Sequence, residues 1–342
     1  MDELKRLYRD YVGSEAHTVT LLPLSGSARK YYRMHGDGPT LIGCKGVNYA
    51  ENQAFLTIDR AFVDAGLYAP KVYAVSDDGM SYIQEDLGDN QLFELLKPSL
   101  AKGEFSDQQL SWLKEIMRQL PTVQYEVGRR MDWSICFPDK EFNARMVNFD
   151  LNYFKYDFLK LTTLAFDEIR LQDDIDRLCL DALDFEGDTF MYRDFQARNI
   201  MIKDDKPCYI DFQGGRRGPL QYDLASFLWN AGTHFNASLR RELEEVYLDA
   251  LQSYQSVDSE DFYRRYRLLT LIRLLQETAA YGFRGIVERK QLFIDCIPAV
   301  IKELGELGAM GYKRYPYLSG LLCDLAQKWD GSTILPGFKL EL

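Results

Sequence analysis

Two short runs carry residue types that can do chemistry together. Tyr192-Arg193-Asp194-Phe195-Gln196-Ala197-Arg198-Asn199 comes first, and Tyr209-Ile210-Asp211-Phe212-Gln213-Gly214 follows it. A carboxylate, an amide five residues on, and a second carboxylate at the end of the next strand can converge on one point. The stretch between them supplies the geometry. Ile200-Met201-Ile202 and Cys208-Tyr209-Ile210 flank the turn Asp204-Asp205-Lys206-Pro207, which reads as a hairpin. Asp194 and Asn199 then stand at the two ends of a loop entering the first strand, and Asp211 leaves the second. The three oxygen-bearing side chains gather at one end. Hard oxygen donors of this kind suit Mg²⁺, which completes its shell with water and phosphate.

The elements that must position this hairpin follow from periodicity. Leu4, Leu7, Tyr8, Tyr11 and Val12 share helical spacing. Val19 to Leu22, Lys30 to Met34 and Thr40 to Cys44 read as strands, the last two joined by the turn Gly36-Asp37-Gly38-Pro39. From Glu51 the period changes, and Ala54, Phe55, Ile58, Ala61 and Phe62 fall on one helical face that ends at Gly66 and Pro70. Val72 to Val75 and Met80 to Glu85 form a hairpin about Ser76-Asp77-Asp78-Gly79. Residues 1–87 therefore read as a small sheet with one internal helix, and 88–342 as a mainly helical region. In the second region the spacing predicts helices over Ser106–Leu120, Asn148–Phe166, Leu239–Tyr254 and Ser259–Tyr281, with Ser106 and Asp258 as N-caps.

Composition excludes several classes. The 342 residues carry 41 Lys+Arg against 52 Asp+Glu, a formal charge of −11, so there is no basic excess to neutralise a nucleic-acid backbone. The six cysteines make no C-x-x-C pair, and the three histidines form no zinc pattern. There is no G-x-S-x-G elbow. Gly38 and Gly43 have the spacing of a Walker A loop, but Cys44 stands before Lys45 where G-K is required. No apolar run approaches a bilayer span and the charged start lacks a signal-peptide core, so the chain reads as soluble and cytoplasmic.

The two runs resemble the protein-kinase pattern H-R-D-x-x-x-x-N followed by D-F-G. They resemble more closely the kinase-like small-molecule phosphotransferases, the aminoglycoside phosphotransferase and choline kinase family, whose loop reads H-x-D-x-x-x-x-N and whose strand reads I-D-F or I-D-W. Arg217-Gly218-Pro219-Leu220-Gln221-Tyr222-Asp223-Leu224-Ala225 is similar to that family's G-P-x-x-Y-D-L-A segment. The D-F-Q and R-G-P-x-x-Y-D-L phrases look most like bacterial kinases of the anomeric hydroxyl of cell-wall amino sugars. Tyr192 stands where the family has His, and Gln213 replaces the Gly of D-F-G. Only eleven residues separate Asp211 from Asp223 and no A-P-E occurs, which leaves no room for a protein kinase's activation segment.

The resemblance implies an α+β, protein-kinase-like bilobal fold, with a small antiparallel-sheet N-lobe at 1–87 that binds nucleotide and a larger helical C-lobe at 88–342 that carries catalysis and acceptor. It implies ATP and Mg²⁺ as cofactors and a small-molecule acceptor, with no nucleic-acid or membrane partner. Asp194 would be the catalytic base, Asn199 and Asp211 the metal ligands, and Asp223 a structural support. Ser25, Gly26 and Ser27 would cover the phosphates. Lys45 would contact phosphate and pair with Glu51, and Gln84 and Asp86 would form the hinge beside the base. Arg198, Tyr153 and Arg284 are the acceptor-binding candidates. The preferred acceptor is a sugar or amino sugar. An aminoglycoside, a choline- or ethanolamine-type alcohol, or a nucleotide-binding regulatory module without turnover are the alternatives.

Overall fold

The computed structural model describes residues 1–23, 29–185, 187–330, 332–335 and 337. The chain packs as two compact units. The first comprises Met1–Glu141, Asp188–Arg217 and Asp249–Tyr254; the second comprises Phe142–Gly187, Gly218–Leu248 and Gln255–Leu342.

The first unit opens with helix α1 (Asp2–Val12), which buries Leu4, Leu7 and Tyr8. The helix stops at Gly13, whose φ of 85° suits glycine and whose N–H donates to the Arg9 carbonyl at 2.8 Å. Strands β1 (Thr18–Leu21), β2 (Lys30–His35), β3 (Leu41–Lys45), β4 (Val72–Val75) and β5 (Ser81–Glu85) form an antiparallel sheet in the order β1-β2-β3-β5-β4. Helix α2 (Tyr49–Asp64) connects β3 to β4. Strand alternation divides the sheet's side chains between two faces. Tyr32, Gly43 and Ile83 lie in one row, with Met34 and Leu41 on the same face, and α1 covers it through Leu4, Leu7 and Tyr8. Tyr31, Cys44 and Tyr82 lie in a row on the other face, which α2 approaches by stacking Phe55 on Tyr82 at 5.0 Å.

The unit continues through α3 (Leu92–Leu100) and α4 (Asp107–Thr122). Ser106 caps α4 in a reciprocal box with Gln109, and Leu113, Ile116, Met117 and Leu120 bury one face of it. Two small antiparallel pairs complete the unit. Strand β6 (Phe190–Met191) pairs with β9 (Arg216–Arg217), and β7 (Ile200–Lys203) pairs with β8 (Lys206–Tyr209). The β7–β8 turn is tighter than the sequence suggests: Asp204 and Asp205 alone form it, with φ of 50° and 60°. Two left-handed residues match the twist of a two-residue hairpin loop, and Asp tolerates that region better than most.

The second unit holds α5 (Ala144–Asp157), α6 (Glu168–Ala182), α7 (Leu220–Leu228), most of α8 (Ala237–Leu251), α9 (Ser259–Tyr281), α10 (Gln291–Ile294), α11 (Ile297–Met310) and α12 (Pro316–Lys328). Helix α9 is capped by Asp258 and buried on nearly every side, with α5, α7 and α11 packed on it. It continues into a turn at Gly282, where a Cβ would stand 2.0 Å from the Asp157 carbonyl at the end of α5. The helix read over Asn148–Phe166 is corrected to α5. Asn143 accepts from the Met146 N–H and starts the helix earlier, and Phe158, at φ −131° and ψ −67°, ends it. The helix read over Leu239–Tyr254 runs Ala237–Leu251. No helix among the described residues is long and apolar enough to cross a membrane.

Candidate active site

The loop pair around β7 and β8 draws three expected residues together through its hydrogen bonds. The Asn199 N–H donates to the Gln196 carbonyl at 2.8 Å and closes a short 3₁₀ turn, Ala197–Asn199. The Asn199 Nδ2 reaches back to the Asp194 carbonyl at 2.8 Å. The Asn199 carbonyl accepts from the Ile210 N–H at 3.0 Å, the residue before Asp211. Asn199 therefore ties the backbone at Asp194 to the backbone entering Asp211. With its NH₂ engaged, Oδ1 is the acceptor the amide has left to offer.

Tyr192 stiffens the same junction. It is 1% exposed, and its hydroxyl donates to the Ile210 carbonyl. Arg193 and Asp211 both hold left-handed backbone, with φ of 76° and 65°. Such conformations in non-glycine residues cost on the order of 1–3 kcal/mol and persist where the surroundings over-determine them. Packing supplies that determination beside Asp211. Phe212 is fully buried and stacks on Phe55 at 5.1 Å and on Phe62 at 4.8 Å, both from α2. Phe55 and Phe62 are two helical turns apart, so one face of α2 grips the segment.

Asp211 is deeply set yet open on one side, with 41% of its side chain exposed. Loss of hydration raises its carboxyl above the ordinary value; Arg29 and Gln213 pull it back, and the Asp194 charge adds to the rise. The Arg29 Nη2 and the Gln213 Nε2 both donate to Oδ1, each at 3.1 Å. The Arg29 Nε stands 3.4 Å from Glu51 Oε1. Arg29 is enclosed, with the Tyr31 and Phe55 rings 5.7 and 5.6 Å from its guanidinium carbon.

Glu51 is thus paired with Arg29, and the Lys45–Glu51 pair read from the sequence is replaced. Lys45 is exposed and shares the register row of Lys30 and Ser81, on the sheet face that α1 covers. The β3 residue facing α2 is Cys44, which is 0% exposed. No sequence motif marks Arg29. Its signal was strand alternation: counting back in twos from Tyr31 puts residue 29 on Cys44's face.

The other expected residues are spread more widely. Ser25, Gly26 and Ser27 lie outside the described residues. Gln84 is buried in β5. Asp86 is held by Arg33, with Nε to Oδ2 at 2.7 Å, and accepts from the Gly88 N–H at 2.9 Å. Its carbonyl accepts from Lys203 Nζ at 3.2 Å. Arg198 lays its guanidinium on the Phe93 ring of α3, 3.6 Å from the centroid. Asp223, Tyr153 and Arg284 belong to the second unit. Asp223 is fully buried in the first turn of α7. Tyr153 packs beside Phe283, and burial pushes its hydroxyl up to about 12. Arg284 pairs with Glu288 at 3.2 Å.

Among the described residues no three His, Cys, Asp or Glu side chains cluster as a metal cage. The donor set here is two carboxylates and an amide, which suits a hard cation that keeps water and phosphate in its shell. The Asp194 charge disfavours that of Asp211, and a divalent cation relieves that conflict. The residues present therefore fit Mg²⁺ arriving with a phosphate chain.

Residues 18–259 match the phosphotransferase enzyme family. The chain is 25% identical over 318 residues to an N-acetylmuramate/N-acetylglucosamine kinase of Pseudomonas aeruginosa, covering 86% of this chain and 89% of that one. It is 24% identical over 233 residues to a kinase of the same name from Pseudomonas putida, covering 67% of this chain and 65%, just under two thirds, of that relative. In fold it is similar to a thermostable mutant aminoglycoside phosphotransferase solved with AMP-PNP and hygromycin B. That likeness has a TM-score of 0.56 at 11% identity and covers 97% of this chain and 100% of that one.

Proposed function

This chain belongs to the phosphotransferase enzyme family, and we propose that it is a small-molecule kinase that moves the γ-phosphoryl group of ATP to a hydroxyl of a sugar or amino sugar. The observation that carries this reading is the bonding that ties Asp194, Asn199 and Asp211 into one loop pair. The acceptor preference is supported by the names of the two Pseudomonas relatives. The ternary complex of the structural neighbour supports a nucleoside triphosphate as donor. Functionally we divide the chain at residue 87, with nucleotide held before it and the acceptor after it.

In this reading Asp194 is the base. Its carboxylate takes the proton of the acceptor hydroxyl as that oxygen bonds to the γ-phosphorus and the bond to the β-phosphate oxygen breaks, releasing ADP. Asn199, through Oδ1, and Asp211 would hold Mg²⁺. The ion supplies positive charge that offsets the negative charge shared over the transferring group. Tyr192 keeps the Ile210–Asp211 backbone in place. Phe212, locked between Phe55 and Phe62, keeps the Asp211 side chain from drifting.

The test is ADP release, measured with Mg·ATP over a panel of sugars, N-acetylated amino sugars, amino alcohols and aminoglycosides. An N-acetylated amino sugar is the acceptor expected to turn over. In Asp194→Asn the transfer falls by about 10²–10⁴-fold while Mg·ATP still binds. Full activity in that variant removes Asp194 as the base. ATP bound with Mg²⁺ but no phosphorylated product from any acceptor favours a regulatory nucleotide-binding module instead.

A further inference from the structure

The arrangement around Arg29 has a function of its own, one that rests on the phosphotransferase reading above. One guanidinium addresses two carboxylates from different segments: Nε faces Glu51 on α2, and Nη2 donates to Asp211 beyond β8. The side chain has no solvent exposure. A planar, always-charged fork can serve two acids at fixed angles, whereas a lysine offers one compact charge on a flexible stem. A buried arginine without acidic partners would be strongly unfavourable, so the two carboxylates and the cation require one another.

The bonding is also one-sided. The Arg29 Nη2 and the Gln213 Nε2 meet on the same Asp211 oxygen, Oδ1. Two donors on Oδ1 fix the carboxylate's rotation and direct Oδ2 to the other side, and the side chain as a whole stays 41% open to solvent. Lys45 cannot share this task, because it sits on the sheet face that α1 covers.

We propose that Arg29 is the positioning residue of the nucleotide site: it locks Oδ1 of Asp211 so that Oδ2 is presented to the metal of a metal–nucleotide complex, and it couples that carboxylate to Glu51 on α2. Arg29 acts through Asp211 and not on the phosphates. Its removal therefore lowers the benefit that Mg²⁺ gives to ATP binding and leaves metal-free binding alone.

The test is calorimetric affinity for ATP with Mg²⁺ and with EDTA, on full-length protein whose fold is checked by circular dichroism. In Arg29→Met the ratio of the two affinities falls by about 10-fold or more, the scale of losing a hydrogen bond to a charged group. The EDTA affinity stays within about twofold, since no phosphate contact is removed. Arg29→Lys, which keeps the charge without the fork, recovers part of the ratio. Lys45→Ala leaves both affinities unchanged. An unchanged ratio in Arg29→Met overturns the proposal, as does an equal loss in EDTA, which would make Arg29 a direct phosphate contact. If Arg29→Met does not fold, Gln213→Leu removes the other donor to Oδ1 from a less buried position. A fall of about threefold in the ratio supports the proposal, and no fall overturns it. Wild-type protein that binds no ATP with Mg²⁺ refutes the kinase reading itself, whereas wild-type binding with an unaltered Arg29→Met ratio refutes only the role of Arg29.

Discussion

The two units enclose acids in opposite ways. In the first, Asp211 keeps an open side and feels a second carboxylate nearby. In the second, Glu277 and Glu303 are 3% and 0% exposed. Glu277 accepts from Asn230 Nδ2 at 2.6 Å and from the Tyr281 hydroxyl. Glu303 faces His234 Nδ1 at 3.0 Å and Arg240 Nη1 at 3.4 Å. The Tyr281 bond stays within α9, but Asn230 and His234 lie in the loop after α7, Arg240 on α8 and Glu303 on α11, so the other contacts brace that loop and those helices. The first acid keeps a face open to solvent, whereas the other two are closed off from it, each with both donors on one oxygen.

Neutralising one acid of each kind separates the two roles most clearly. Asp211→Asn keeps an acceptor for Arg29 but loses the charge. It is expected to cut Mg-dependent turnover by about 10²–10³-fold, with a loss of urea stability smaller than that of Glu303→Ala because Glu51 still faces Arg29. Glu303→Ala should do the reverse. It leaves Arg240 without its acid and costs about 3–5 kcal/mol in urea unfolding, with turnover per folded molecule near wild type. If Asp211→Asn unfolded the protein while Glu303→Ala abolished transfer, the division of roles drawn above would be reversed.

A gentler test uses pH. Burial, opposed by Arg273 and the Tyr281 hydroxyl, pushes Glu277 up to about 7. The unfolded carboxyl titrates near ~4.3. Between these values the native state binds more protons than the unfolded state, so stability falls as pH rises from about 4.3 to about 7. Glu277→Gln removes that titration. The decline in melting temperature between pH 5 and pH 7.5 should be smaller in the variant, and an equal decline would show that Glu277 does not cause it. Smallest of all, Tyr192→Phe deletes the bond to the Ile210 carbonyl. It should cost about 1 kcal/mol of stability and lower kcat by less than about tenfold, with KM for ATP held.

Much of the candidate loop pair was legible because its geometry is local. Asp194, Asn199 and Asp211 lie on one hairpin, and hairpin strands alternate and turn by rules that short sequences obey. Ser106 and Asp258 were equally readable as caps, since a cap acts within one turn. The helix over Asn148–Phe166 was misjudged because its aromatic periodicity runs on past Phe158, where the backbone itself leaves the helix. Lys45 was misassigned for a subtler reason. Alternation shows that Lys45 and Cys44 face opposite ways, but a sheet with a helix on each face does not reveal from sequence which helix carries the partner acid.

The order of an acid, an amide and an acid, and the hairpin that holds them, are readable along the chain, because those relations span a few residues and cost little chain entropy to form. Which cation stands beside them depends on long-range packing. Arg29 and Asp211 are 182 residues apart in the chain. No local periodicity links such positions; their meeting depends on the β2–β3 register, on α2 stacking Phe55 against Tyr82 and Phe212, and on the cost of enclosing an unpaired guanidinium.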